Sequence, residues 1–156
     1  MYNAMLAIHS WTRWVVLVAA VAALVNAARS LGAPDSDAKL PGRLYDTLFM
    51  ASMDLQLLFG LLLYFGLSPF TKEAMSNIGS VMSTSQLRFW SIEHPFGMLV
   101  AIVFVRVGRI TSGNAATPAS ARKKRLVWFA LALLVVLVSI PWPGLPNGRP
   151  LFRLGE

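Results

Sequence analysis

"FWSIEHPFGMLVAIVFVRVGR", residues 89–109, decides the fold. A helix needs about 20 mainly apolar residues to cross the roughly 30 Å of hydrocarbon in a bilayer, and this run qualifies. Lipid offers no hydrogen-bond partners, so a segment of this kind crosses only as a helix. Yet Glu93, His94 and Pro95 stand near its front, and ionisable groups at such a depth are costly and usually line a site or cavity. The only other histidine, His9 in "AIHSWTRWVV", also lies near the front of an apolar run.

Working outward, the 156-residue chain is 56% hydrophobic and only 13% charged, with a positive mean hydropathy. An ordinary soluble domain is less apolar and carries more charge. Four stretches read as spans, at residues 4–28, 45–66, 87–110 and 126–140, and four connected helices of this kind predict a single-domain, all-α, up-down-up-down four-helix bundle in the membrane. The first span has no basic segment before it and too long an apolar run for a signal peptide, so it reads as retained. The chain has no cysteine, which excludes disulfides, Fe–S clusters, thiolate ligands and covalent c-type haem attachment.

The net charge of +7 is sorted by membrane side. Arg29, Lys39 and Arg43 flank the first loop; Arg106, Arg109 and the "RKKR" of residues 122–125 flank the third. The other side holds Lys72, Arg88, Arg149 and Arg153. The positive-inside rule puts the first and third loops in the cytoplasm and both termini outside. Topology and anionic lipid account for "RKKR" without nucleic acid.

The first and third loops, "SLGAPDSDAKLPGR" and "TSGNAATPASARKK", read as surface connections. The second, "SPFTKEAMSNIGSVMSTS", predicts a short interfacial helix capped by Ser68 with Pro69 in its first turn, Phe70, Ala74, Ile78 and Val81 recurring at helical spacing. The prolines of "PWPGLPNGRPLFRLGE" end helical structure, and Trp142 suits the headgroup level.

Depth answers why the histidines are there. His9 lies about 7–8 Å and His94 about 10–11 Å into their spans at 1.5 Å per residue. The first and third spans run the same way, so both imidazoles fall in the outer leaflet at nearly one level. In a four-helix bundle these helices are diagonal neighbours, roughly 11–14 Å apart. That gap suits two histidines reaching a flat macrocycle, so haem b ligated by His9 and His94 is the sharpest expectation. Phe89, Trp90, Phe96, Trp11 and Trp14 are candidates to line the ring faces, Met98 for a substitute ligand, and Arg13, one turn from His9, for a propionate or a buried acid. The competing account is structural: the histidines bond neighbouring helices, and Arg13, Glu93 and Asp54 form an ion network.

Asp54 and Gln56 sit near the midplane of the second span, about 18 Å and 15 Å from its outer end. An unpaired carboxylate there is expensive, so Asp54 is expected protonated or matched to a cation, with Arg13 the nearest by depth. Asp54 and Gln56 either stitch helices together or line a polar path that contacts quinone. Phe49, Met50, Met53, Leu57 and Gly60 read as packing. Pro95 removes a backbone donor, frees the carbonyl of Ser91 and predicts a bend at His94, while Gly97 and Gly108 fit close helix contact. No nucleophile with its base, phosphate loop or carboxylate pair is present to nominate, so an electron carrier or an accessory subunit is favoured over a stand-alone enzyme.

"HSWTRW" at 9–14, "DLQLLFGLLLYF" at 54–65, "RFWSIEHPFGML" at 88–99 and "PWPGLPNGRPLF" at 141–152 resemble a family of small four-helix bacterial membrane proteins sometimes labelled cytochrome b-like. The resemblance covers nearly the whole chain. It implies the bacterial inner membrane and makes His9, Arg13, Gln56, Glu93 and His94 the family's polar positions. Three functions stand as expectations: a b-type cytochrome exchanging electrons at the outer face, with quinone as one partner; a haem-free accessory subunit of a larger respiratory or photosynthetic complex, beside other membrane subunits or further copies of itself; and a small membrane oxidoreductase or carrier.

Overall fold

A computed structural model describes residues 1–32 and 43–152. Among them all regular structure is helical. The chain runs as α1 (Tyr2–Ser30), α2 (Arg43–Leu62) extended by a π turn (Leu63–Leu67), three short helices α3 (Pro69–Ser76), α4 (Ile78–Val81) and α5 (Ser85–Arg88), a second π turn (Phe89–Glu93), α6 (His94–Gly113) and α7 (Pro118–Ser139). The "SLGAPDSDAKLPGR" connection falls largely at 33–42 and, with Arg153, lies outside the described residues.

Three helical segments, Tyr2–Ser30, Leu44–Leu67 and Ser85–Gly113, are long and apolar enough to cross a membrane. Their buried hydroxyls bond carbonyls of their own helix: Thr12 to Ile8, Ser30 to Ala27 and Ser52 to Phe49. Such back-bonding lets a polar side chain sit in an apolar helix without an outside partner. In α7 the basic run occupies the first turns, and the uncharged remainder, 126–139, covers only about 20 Å. The expected span at 126–140 is thus the apolar part of a longer helix whose first turns are basic. Thr117 caps α7 by accepting a hydrogen bond from the Ser120 N–H at 3.2 Å, and the helix stops at Ile140, just before Pro141.

The long helices pack cyclically, α1 against α2 and α7, and α6 against α2 and α7. Along the shared core small residues let backbones approach: Ala20, Ala23, Ala101 and Ala132 are at most 1% exposed, packed with Val16, Phe49, Met53, Val105 and Phe129. The α6–α7 seam is the tightest. A Cβ on Gly97 would overlap the Ser139 hydroxyl, and one on Gly108 would lie 2.7 Å from the Cβ of Trp128.

The loop expected as one short helix is two, α3 and α4, with α5 starting at its last residue. Ser68 caps α3, its hydroxyl accepting from the Thr71 N–H at 3.5 Å, and Pro69 opens it, as the sequence predicts. Asn77 interrupts the helix with φ near −139°, so Ala74 and Val81 are buried while Ile78 is 77% exposed and leaves the expected face.

Two basic residues of "RKKR" depart from the lipid-facing reading. Arg122 and Arg125 are buried, whereas Lys123 and Lys124 are exposed. Arg125 donates through Nε to Asp46 at 2.8 Å and through Nη2 to Asn26 at 2.9 Å, and its guanidinium lies 5.7 Å from the Phe129 ring. One side chain therefore ties α7 to α1 and α2.

Candidate functional site

The site lies at the end of the molecule opposite Arg125. Pro95 occupies the first turn of α6 and has no N–H to donate. The chain meets this with a π turn over Phe89–Glu93 rather than a simple bend, and π turns recur at functional positions in helices. Ser91, whose carbonyl the proline leaves free, accepts a 2.9 Å hydrogen bond from the Tyr64 hydroxyl. Tyr64 belongs to the facing π turn after α2, so the two irregular turns are bonded to each other where His94 enters the interior.

His94 is anchored from α7. Its Nδ1 lies 2.8 Å from the Ser139 carbonyl oxygen, which can only accept, so Nδ1 carries the proton and Nε2 keeps its lone pair. A histidine that ligates a metal is held in this way, with the second nitrogen donating to a carbonyl. Trp90 and Phe89 flank the ring with centroids at 5.7 and 5.9 Å.

His9 reaches in from α1, its ring centroid 6.3 Å from that of His94 and the ring planes at 75°. Gly60 of α2 gives it room, since a Cβ there would touch the His9 ring at 3.4 Å. Gln56 holds its other edge: the amide nitrogen is 3.2 Å from His9 Nε2 and 3.0 Å from the His9 carbonyl oxygen. Of these two residues, His9 Nδ1 and Gln56 Oε1 are buried without partners, as is Arg13 Nε nearby. Buried polar atoms are nearly always hydrogen-bonded, so this pair points to something further that meets them.

A cavity of about 330 Å³ adjoins the rings, lined by His9, Gln56, Tyr64, Trp90, His94, Met98 and Arg149 among mostly apolar side chains. That is the lower end of the range for small-molecule pockets, which are mainly apolar with a few placed polar groups. Leu61, Phe65 and Leu99 belong both to its lining and to the outer surface, so it opens on the side of α2 and α6. A smaller hollow behind the rings is shared by His9, Arg13, His94 and Arg149.

The chain after α7 folds back over this end. Arg13 donates through Nη2 to the Leu151 carbonyl at 2.7 Å, and the Trp14 indole N–H donates to the same oxygen at 3.1 Å. Phe152 stacks on Trp14 at 5.3 Å and against Trp11 at 5.5 Å. Arg149 lies over the Trp90 ring at 4.2 Å.

Several expected placements are corrected. Asp54 does not meet Arg13: it pairs with Arg106 at 2.6 Å on the outer surface, because Asp54 lies on the outward side of α2 whereas Arg13 is buried and engaged with the returning tail. Glu93 pairs with Arg88 at 2.7 Å and is half-exposed, so Arg13, Glu93 and Asp54 make no network. Trp14 and Trp11 hold Phe152 instead of lining the cavity, and Phe96 is 67% exposed. Met98 lines the cavity beside His94 as a packing side chain.

Sequence reasoning missed Tyr64, Ser139 and Arg149. The carbonyl freed by Pro95 was the one signal for a donor such as Tyr64; nothing local marks the other two, which arrive from α7 and the tail. Among the described residues no three or more His, Asp or Glu side chains converge. No family model, curated protein or solved structure matches the chain.

Proposed function

We propose that the chain is a membrane electron-transfer protein of the b-type cytochrome kind, an up-down-up-down four-helix bundle in a bacterial inner membrane with both termini outside, holding one haem between His9 and His94. The observation that carries this reading is the pair of rings at 6.3 Å, one of them with its Nδ1 proton committed to the Ser139 carbonyl. Two imidazole–metal bonds of roughly 2 Å each plus the half-widths of the rings come to about 6 Å. Two imidazoles alone are too few for a free ion, but they suffice for an iron already held by a macrocycle.

The unpartnered atoms fit the same reading. Ligation through Nδ1 moves the His9 proton to Nε2, where it needs an acceptor. A half-turn of the Gln56 amide would supply Oε1 as that acceptor, at the cost of the hydrogen bond that the amide nitrogen gives the His9 carbonyl. Arg13 and Arg149 bring positive charge to the two cavities beside the rings and suit propionate carboxylates. The cavity is smaller than a porphyrin and is bordered by the exposed Leu61 and Leu99. Bound haem supplies one-electron transfer. The chain's own part is to fix the two rings, exclude water with the returning tail and set the potential through the Ser139 and Gln56 hydrogen bonds.

The test is a reduced-minus-oxidised spectrum of protein purified from haem-replete membranes. A sharp α band in the wild type, lost in both His9→Ala and His94→Ala at equal expression, is the expected result. A wild-type protein without the band ends the proposal.

A further inference from the structure

The outer surface of α2 and α6 carries a pair of charges that lipid cannot cover. Asp54 and Arg106 meet at 2.6 Å, yet their side chains are 47% and 49% exposed. Asp54 is the eleventh residue of the Leu44–Leu67 segment, about 15 Å from its start, and a carboxylate on so short a side chain cannot reach the headgroups from there. Arg106, about 10 Å from the Gly113 end of α6, could extend toward that end but is drawn inward to Asp54 instead. Exposed leucines and valines around the pair are at home in acyl chains. The ion pair is not, because charges at this depth almost always face protein or a water-filled cavity.

We infer that this face is the interface between two copies of the chain, related by a two-fold axis beside the Asp54–Arg106 pair. The argument is charge complementarity. A patch with one cation and one anion side by side is complementary to itself when rotated by a half-turn, which sets each Asp54 against the partner copy's Arg106 and closes a ring of alternating charges. An isologous contact of this kind removes both pairs from lipid at once. Leu58, one turn along α2 from Asp54, and Val103, one turn along α6 from Arg106, are each 53% exposed beside the pair and lie close to the axis. The inference rests on the membrane reading of α2 and α6 and is independent of haem.

The protein's lack of cysteine makes the test direct. Leu58→Cys and Val103→Cys, both of which keep the ion pair, are oxidised mildly in native membranes beside Val18→Cys, a similarly exposed position on α1. Disulfide-linked dimers of the first two and none of the third are expected. Asp54→Lys abolishes the Leu58→Cys dimer, and adding Arg106→Glu restores it. Monomer throughout, linkage through Val18, or a mixed disulfide with a different polypeptide each overturns the inference. The α band is read on the same samples, so loss of haem and loss of the dimer are separately visible.

Discussion

The two ends of the molecule bury polar groups in opposite ways. At one end Arg125, 1% exposed, has Asp46, Asn26 and the Phe129 ring around it. At the other, His9 and Gln56 are packed between helices with Nδ1 and Oε1 unanswered, next to a cavity. A buried charge with good partners holds helices together, and removing one partner leaves the other stranded. Buried atoms without partners cost stability rather than add to it, a cost that the proposed ligand would relieve. The contrast separates a clamp from a proposed receptacle.

The hardest blow should fall at the clamp. Asp46→Asn leaves Arg125 buried without its counter-charge and is expected to cost about 3–5 kcal/mol, seen as a large drop in the thermal unfolding midpoint in detergent. If Asp46→Asn unfolds like the wild type, the clamp is not one. Next comes the close α6–α7 seam. Gly108→Ala drives a methyl against Trp128 with no room to yield and should cost about 1–3 kcal/mol, while Gly97→Ala costs less because the Ser139 hydroxyl can rotate away. Smaller again, Tyr64→Phe strips the Ser91 carbonyl of its donor at a cost of about 1–2 kcal/mol, measured by denaturation of the purified protein. At the receptacle, Gln56→Leu removes two hydrogen bonds to His9 together with the unanswered Oε1, opposing effects that should leave ligand-free stability within about 1 kcal/mol of the wild type, although any α band should shift or vanish. A large loss of ligand-free stability from Gln56→Leu would erase the distinction between the two ends.

The long helices were legible because apolar runs of bilayer length have few other solutions, and the convergence of His9 and His94 followed from equal depth on helices running the same way. The bend at Pro95 was legible as well, and the freed Ser91 carbonyl located half of a hydrogen bond. What escaped is what depends on rotation about a helix axis or on distant chain. Depth placed Arg13 nearest Asp54, but depth says nothing of azimuth, and Asp54 faces outward to Arg106. "RKKR" was read as a uniform block, yet Arg122 and Arg125 point inward while the lysines between them do not. Arg149, Leu151 and Phe152 were invisible as site neighbours because a proline-rich tail carries no periodicity to say where it returns.

That returning tail has a consequence for traffic. With Leu151 fastened to Arg13 and Trp14, and Phe152 wedged beside both tryptophans, the end of the described chain is pinned against α1 within about a turn of His9. For the ligand proposed above, the gap bordered by Leu61, Phe65 and Leu99 offers a sideways entrance. Exchange by that entrance would follow the concentration of a visitor dissolved among acyl chains, not in the aqueous phase.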